Sequence, residues 1–146
     1  MLNYQLIEER LTQVRVSCNR LKQMEPLNLE EFLTTPDSYA IAEHHLRRAL
    51  ESVFDIGRYI IAKKGLGKPA NYRQIIEILA QQGIIPLEFS RSIRGMAGYR
   101  NRLVHEYAKI TPEEIHKIIQ ERLDDFALFS TYILNYLETE RKPDSI

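Results

Sequence analysis

The sequence predicts an all-α fold: an antiparallel bundle of about five helices, formed by residues 1–146 as a single domain. Apolar residues recur at alternating intervals of three and four over long stretches, which is the spacing of one helix face. Proline and glycine separate these stretches, and no run alternates apolar and polar residues as a strand would. A chain of 146 residues that is 44% hydrophobic buries a core without disulfides, and its one cysteine, Cys18, excludes an intrachain disulfide.

The first half of the chain predicts two long helices. The first spans about residues 2–24 and ends before Pro26. A polar connection with a helical turn at 29–33 follows. The second helix is predicted over 36–64, because proline suits the first helical position and two lysines complement the C-terminal end of the helix dipole. Gly65 then takes the left-handed cap.

The second half predicts three more helices. Asn71 caps a helix over 72–82, with Gln74 at the reciprocal capping position. A proline opens the fourth helix, which is predicted to continue unbroken over 86–107. The segment 111–114, Thr-Pro-Glu-Glu, combines a cap, a first-position proline and a capping-box glutamate. It predicts a fifth helix that reaches the polar C-terminal tail.

The charge pattern predicts a local anion site on a neutral body. Twenty basic and twenty acidic residues give no net charge, which argues against a protein that coats nucleic acid non-specifically. Within residues 91–105, however, there are four arginines and no acid. No apolar run is long enough to cross a bilayer and the N-terminus carries no secretory pattern, so we expect a cytoplasmic protein that does not bind a membrane.

One arginine falls on the apolar face of the fourth helix. The face consists of residues spaced four and three apart: Phe89, Ile93, Met96, Arg100, Leu103 and Tyr107. A guanidinium cannot lose its charge, so its burial is costly unless an anion or a wet cleft receives it. Arg100 therefore marks either a functional site or a buried ion pair with an acid of the second helix, such as Glu51 or Asp55.

Helix geometry directs the side chains of Arg100 and His105 to different sides of the predicted fourth helix. On a continuous helix Arg100 and His105 differ by about 140° in direction and about 7.5 Å in rise, whereas Asn101 and His105 share a face. Either the long arginine side chain folds around the helix, or a second copy of the chain completes the site across a two-fold axis.

The pattern Arg100, four residues, His105, one residue, Tyr107 resembles the signature of the HEPN ribonucleases, and most of all the HepT toxins. Further segments match that family in order and spacing, over roughly residues 36–140: Asp55-Ile56-Gly57, Lys64-Gly65-Leu66-Gly67-Lys68-Pro69, Gly83-Ile84-Ile85-Pro86 and Met96-Ala97-Gly98-Tyr99-Arg100.

The resemblance implies a homodimer that cleaves RNA without a metal. Arg100 and His105 would be catalytic, because imidazole serves as acid or base near neutral pH and guanidinium matches phosphate oxygens. Asn101 and Asp55 would support them. The resemblance further implies a partner, an MntA-type nucleotidyltransferase antitoxin that transfers AMP to Tyr107 and silences the toxin.

The alternative is a non-catalytic HEPN-like helical module that binds a nucleotidyltransferase or a nucleotide. Arg100 and His105 together favour the enzyme, since a scaffold has no need of an arginine on its packing face. We expect no cofactor and no metal: His44 and His45 point in different directions, and no third ligand stands at a suitable spacing. Nothing in the motif selects bases, so messenger and transfer RNA both fit.

Overall fold

The computed structural model describes residues 1–105 and 109–141, and these residues form helices and no strand. The all-α prediction is confirmed. In the described residues the helices, in order, are α1 (Tyr4–Lys22), α2 (Leu29–Thr34), α3 (Ser38–Lys64), α4 (Tyr72–Gln81), α5 (Leu87–Ser92), α6 (Gly95–Val104), α7 (Pro112–Glu121) and α8 (Leu123–Arg141). The prediction of about five helices was wrong in number, because the predicted fourth and fifth helices are each divided in two and the helical turn predicted at 29–33 is a short helix, α2.

Three long helices, α1, α3 and α8, form the body of the bundle, and α1 runs in the direction opposite to the other two. The start of α1 meets the end of α3, where the Asn3 backbone N–H donates to the Tyr59 hydroxyl at 2.7 Å. The end of α8 reaches the same place, since Lys64 Nζ lies 2.9 Å from Glu140 Oε2. Thus α1 is antiparallel to both α3 and α8. One cluster of buried side chains runs through the bundle from Leu2 to Leu137.

Both ends of α3 are set by residues in left-handed backbone. Gly65 ends the helix at φ 64° and ψ 39°, as predicted. At the start, Asp37 has φ 64° and is the N-cap, so α3 begins at Ser38 and not at Pro36. Near the middle, α4 packs against Gly57: a Cβ there would lie 2.6 Å from Ile75 Cγ2. The glycine in the Asp-Ile-Gly segment therefore permits close helix packing.

The predicted fourth helix breaks between α5 and α6. The hydroxyls of Ser90 and Ser92 donate to the carbonyls of Leu87 and Phe89, and so compete with backbone donors. Across the break, the Met96 N–H binds the carbonyl three residues back, at 2.9 Å, instead of four. A glycine at the start of α6 further weakens a continuous helix. The apolar face nevertheless stays buried on both sides of the break.

The predicted fifth helix breaks at Arg122, which has φ −124° and ψ −1°. Its start is as predicted: Thr111 accepts from the Glu114 N–H, and Glu114 accepts from the Thr111 N–H. After the break, Asp124 and Asp125 occupy the first turn of α8, where carboxylates are favourable to the helix dipole. Across residues 1–105 and 109–141, no helix is long and apolar enough to span a membrane.

Candidate functional site

The helix that carries the Arg-x4-His motif ends one residue before the histidine. Helix α6 stops at Val104, and His105 has extended backbone, with φ −108° and ψ 114°. Its N–H donates to the Arg102 carbonyl at 3.3 Å, and the residue is exposed. The prediction that Asn101 and His105 share a helix face was therefore wrong, because the helical spacing does not reach His105. Asn101 is exposed on α6.

Arg100 lies between α6, α3 and α4. Its Nη2 is 3.7 Å from Glu51 Oε1, and its guanidinium carbon is 5.1 Å from the centre of the Tyr72 ring. The side chain is only 14% exposed. Its Nη1 is buried and makes no hydrogen bond within the described part of the chain. The predicted cation on an apolar face is thus found, held by one acid and one aromatic ring.

Tyr72 organises the cations around Arg100. The guanidinium carbon of Arg58 lies 5.4 Å from the same ring, and the Phe54 ring packs against it with centroids 4.9 Å apart. Two guanidinium groups therefore share one electron-rich ring, which stabilises them without neutralising their charge. The position of Arg100 depends on α4 as well as on α3.

The acid beside Arg100 is Glu51, and Asp55 is placed elsewhere. Asp55 Oδ2 lies 3.8 Å from Arg10 Nε, on the side of α3 that faces α1. The two acids are one helical turn apart on α3, and α6 reaches only the first of them. Of the two candidate partners for Arg100, the family pattern favoured Asp55, whereas the structure has Glu51. A supporting role for Asp55 stays a prediction.

Arg102 joins the end of α6 to the start of α7. Its Nη1 and Nη2 donate to the two carboxylate oxygens of Glu114, at 2.5 Å and 2.7 Å, and Nη2 also donates to the Lys109 carbonyl at 2.8 Å. Glu114 accepts from the Thr111 N–H as well. These contacts, the arginine first, lower the pKa of Glu114 to about 2. We call Arg102 and Glu114 the clamp.

Tyr39 of α3 holds the far end of the same connection. Its hydroxyl donates to the Ile110 carbonyl, 71 positions further along the chain. Burial, followed by the carboxylate of Glu43, raises the pKa of Tyr39, so the phenol stays a hydrogen-bond donor. The clamp and Tyr39 together fix residues 109–111 against the bundle.

His105 lines an open cleft of about 540 Å³. The cleft lies between α3 and the connection from α6 to α7, and its lining is Glu43, Arg47, Arg102, Leu103, Val104, His105, Lys109 and Ile110. Arg100 does not line it. Its acid, Glu51, is eight residues beyond Glu43 on α3, a distance of about 12 Å along the helix axis. Arg100 therefore pairs with an acid outside the cleft that His105 lines.

Tyr107 lies outside the described residues. Among residues 1–105 and 109–141, no group of three or more histidines, cysteines or acids is arranged to hold a metal ion. Sequence reasoning missed Arg47 and the clamp. The signal that could have found the clamp is the capping-box carboxylate at 111–114, which is an available acceptor for Arg102.

Comparison with known proteins gives a family. Residues 14–133 match the family model described as ribonuclease HepT-like. The chain is 32% identical over 135 residues to the tRNA nuclease HepT of Aphanizomenon flos-aquae, covering 92% of this chain and 91% of the relative. It is 26% identical over 126 residues to the mRNA nuclease HepT of Shewanella oneidensis, with 85% and 92% covered.

A solved structure has the same fold. It is the tri-AMPylated HEPN toxin of Shewanella oneidensis in complex with the MNT antitoxin, with a TM-score of 0.80 and 24% identity. The similarity covers 92% of this chain and 99% of that one. The arrangement of helices is thus shared over nearly the whole of both chains.

Proposed function

This chain belongs to the ribonuclease HepT-like family, and we propose that it is a metal-independent endoribonuclease toxin in which Arg100 and His105 act on one phosphodiester. The observation that carries the proposal is the placement of His105. It is exposed on extended backbone at the wall of an open cleft, and the basic side chains in that wall outnumber the acidic ones. A histidine so placed can take the proton of a ribose 2′-OH or give one to the departing 5′-oxygen of a strand bound in the cleft.

The chemistry needs three groups at the phosphate. A base takes the proton of the ribose 2′-OH, an acid protonates the departing 5′-oxygen, and a cation stabilises the charge that builds between them. His105 serves as base or acid. Arg100 supplies the cation, because its fork of N–H donors matches phosphate oxygens and its charge is permanent.

We propose that a second copy of the chain completes the site. Arg100 pairs with Glu51, which lies outside the cleft that His105 lines, so a two-fold axis near α6 would bring groups from both copies to one phosphate. Gly98 supports this arrangement: apart from its chain neighbours and the backbone of its own helix, no atom of the described residues lies within 4 Å of a Cβ built there, which leaves room for another backbone. The buried Nη1 of Arg100 has no acceptor in its own copy's described residues.

We further propose supporting roles for Asn101 and Asp55 and a regulatory role for Tyr107. Asn101 is exposed one position after Arg100, where its amide would contact a phosphate or the partner's histidine. Asp55 would support the site as the family pattern implies. We propose that an MntA-type nucleotidyltransferase antitoxin silences the toxin in the cytoplasm by adding AMP to Tyr107, since charge and bulk at the cleft would repel RNA. The similar HEPN toxin is itself AMPylated and bound to an MNT antitoxin.

The experiment is RNA cleavage in the presence of a chelator, by the unaltered protein and by His105→Ala. We expect the unaltered protein to leave cyclic-phosphate ends and His105→Ala to lose at least about a hundredfold in rate, the usual share of one acid–base group. His44→Ala is the matched control, because His44 is also an exposed histidine and lies outside the cleft. Full activity of His105→Ala would end the catalytic assignment, and a chelator-sensitive reaction would end the claim of metal independence.

A further inference from the structure

The cleft beside His105 carries basic side chains that the Arg-x4-His motif does not include. Arg47 comes from the middle of α3, and Lys109 from the connection before α7. We infer that these two residues bind an RNA phosphate adjacent to the scissile one, and that the single strand next to the cleavage position lies in the cleft. This inference rests on the proposed function, since it takes RNA as the substrate.

Arg47 is free to exchange its present contact for a phosphate. Its Nη2 lies 3.6 Å from Glu43 Oε1, one helical turn earlier on α3, and the two side chains are 36% and 32% exposed. An ion pair of this kind on a helix surface contributes little to stability. A phosphate offers more acceptor oxygens to the guanidinium fork than this long contact does.

Lys109 stands on a fixed piece of backbone. Its carbonyl accepts from Arg102, and the next carbonyl, that of Ile110, accepts from Tyr39. The lysine side chain therefore projects from an anchored position at the edge of the cleft. An anchored backbone reduces the entropy lost when the ammonium group binds a phosphate.

The charge of the cleft favours an anion. The cleft has three basic side chains, Arg47, Arg102 and Lys109, against Glu43 in the lining and Glu114 behind it, which leaves one net positive charge. The chain as a whole has none. Arg102 is engaged on both of its Nη atoms by Glu114, so the charge available to a ligand comes from Arg47 and Lys109.

The shape of the cleft favours a single strand. Its volume of about 540 Å³ lies in the range of pockets that hold one small molecule, which is enough for a nucleotide of an unpaired strand. His105 lines the same cleft as Arg47. A strand whose scissile phosphate lies at His105 and which follows the cleft passes one or both cations.

The test measures binding without cleavage. A short single-stranded RNA with 2′-O-methyl groups at every position lacks the nucleophile and is not cut. Its Kd for the unaltered protein, Arg47→Ala and Lys109→Ala is measured over a series of salt concentrations. We expect Arg47→Ala and Lys109→Ala each to bind about five- to tenfold more weakly at low salt. The slope of log Kd against log salt concentration should fall by about one in each variant, as expected for the loss of one phosphate contact. Glu43→Gln should bind more tightly.

Matched controls separate the cleft from general charge. Arg48 adjoins Arg47 on α3, but its Nη2 donates to Gln13 Oε1 of α1 at 2.6 Å and it does not line the cleft. Lys117 of α7 is exposed and also outside the cleft. We expect Arg48→Ala and Lys117→Ala to change Kd less than twofold. A melting curve for each variant confirms the fold, and Arg47→Gln repeats the test with a longer side chain.

Equal losses in Arg47→Ala and Arg48→Ala would overturn the inference, as would weaker binding with an unchanged salt dependence or no binding of RNA by the unaltered protein. The proposed function fails separately, on cleavage by His105→Ala. If the unaltered protein cuts RNA and the Arg47 variants bind RNA normally, the proposed ribonuclease function is retained and only the phosphate binding in the cleft is rejected.

Discussion

The clamp between Arg102 and Glu114 gives a prediction whose size follows from the structure. Glu114→Gln removes the carboxylate charge but keeps an oxygen for the Thr111 N–H, so the capping box survives. The pKa of Glu114 falls from 4.5 to about 2 in the folded chain. At about 1.36 kcal/mol per pH unit, the upper bound on its contribution is about 3.4 kcal/mol. Both side chains are about one-third exposed, so we discount for solvent screening and expect a loss of about 1–2 kcal/mol.

The dependence on pH has a definite sign. Because the pKa of Glu114 is lower in the folded chain than in the unfolded chain, its contribution is fully present above about pH 5. It diminishes as the pH falls toward 2, and more than half of it is gone near pH 3. The difference in unfolding free energy between the unaltered protein and Glu114→Gln should shrink over this range.

The assay is urea denaturation followed by circular dichroism, at one protein concentration and at several pH values. Glu113→Gln is the matched control, because Glu113 occupies the same first turn of α7 and experiences the same helix dipole, but is exposed and is not part of the clamp. If Glu113→Gln and Glu114→Gln lose equal free energy, or if their difference does not change with pH, the clamp does not stabilise the connection as argued.

Two further predictions concern α4. Gly57→Ala would place a Cβ 2.6 Å from Ile75 Cγ2, so we expect a loss of about 1–3 kcal/mol in unfolding free energy, measured by denaturation; an unchanged stability would contradict the close packing. Tyr72→Leu removes the ring beneath Arg100, so we expect kcat for RNA cleavage to fall about tenfold with KM little changed, whereas Tyr72→Phe keeps the ring and the rate. Equal rates in both Tyr72 variants would show that the ring does not position the arginine.

Local capping chemistry explains why much of the fold was predictable. Gly65 and the capping box at 111–114 act through their nearest neighbours, so their residue types are enough to place a helix end. The two helix breaks were not predictable from periodicity, because the buried face continues across them. Ile93 is 1% exposed at the first break, and Leu123 is 8% exposed just after the second.

The site was predictable where a residue conflicts with its surroundings. Arg100 on an apolar face is such a conflict, and its pairing with Glu51 was one of two partners foreseen. His105 was placed wrongly on a helix face, because α6 ends at Val104 and a sequence pattern does not show where the last turn gives way. Arg47 escaped notice because an acid four residues before an arginine on a helix usually indicates a solvated pair.

Helix α3 acts as a rigid spacer for the whole site. It is one uninterrupted rod of 27 residues, about 40 Å long, and it carries Tyr39, Arg47 and Glu51. The spacing between Glu51, which pairs with Arg100, and Arg47, which lines the cleft of His105, is therefore set by helix rise, and insertions in the connection after α6 would leave it unaltered. A proline introduced between Arg47 and Glu51 would bend α3 and displace these two residues relative to each other.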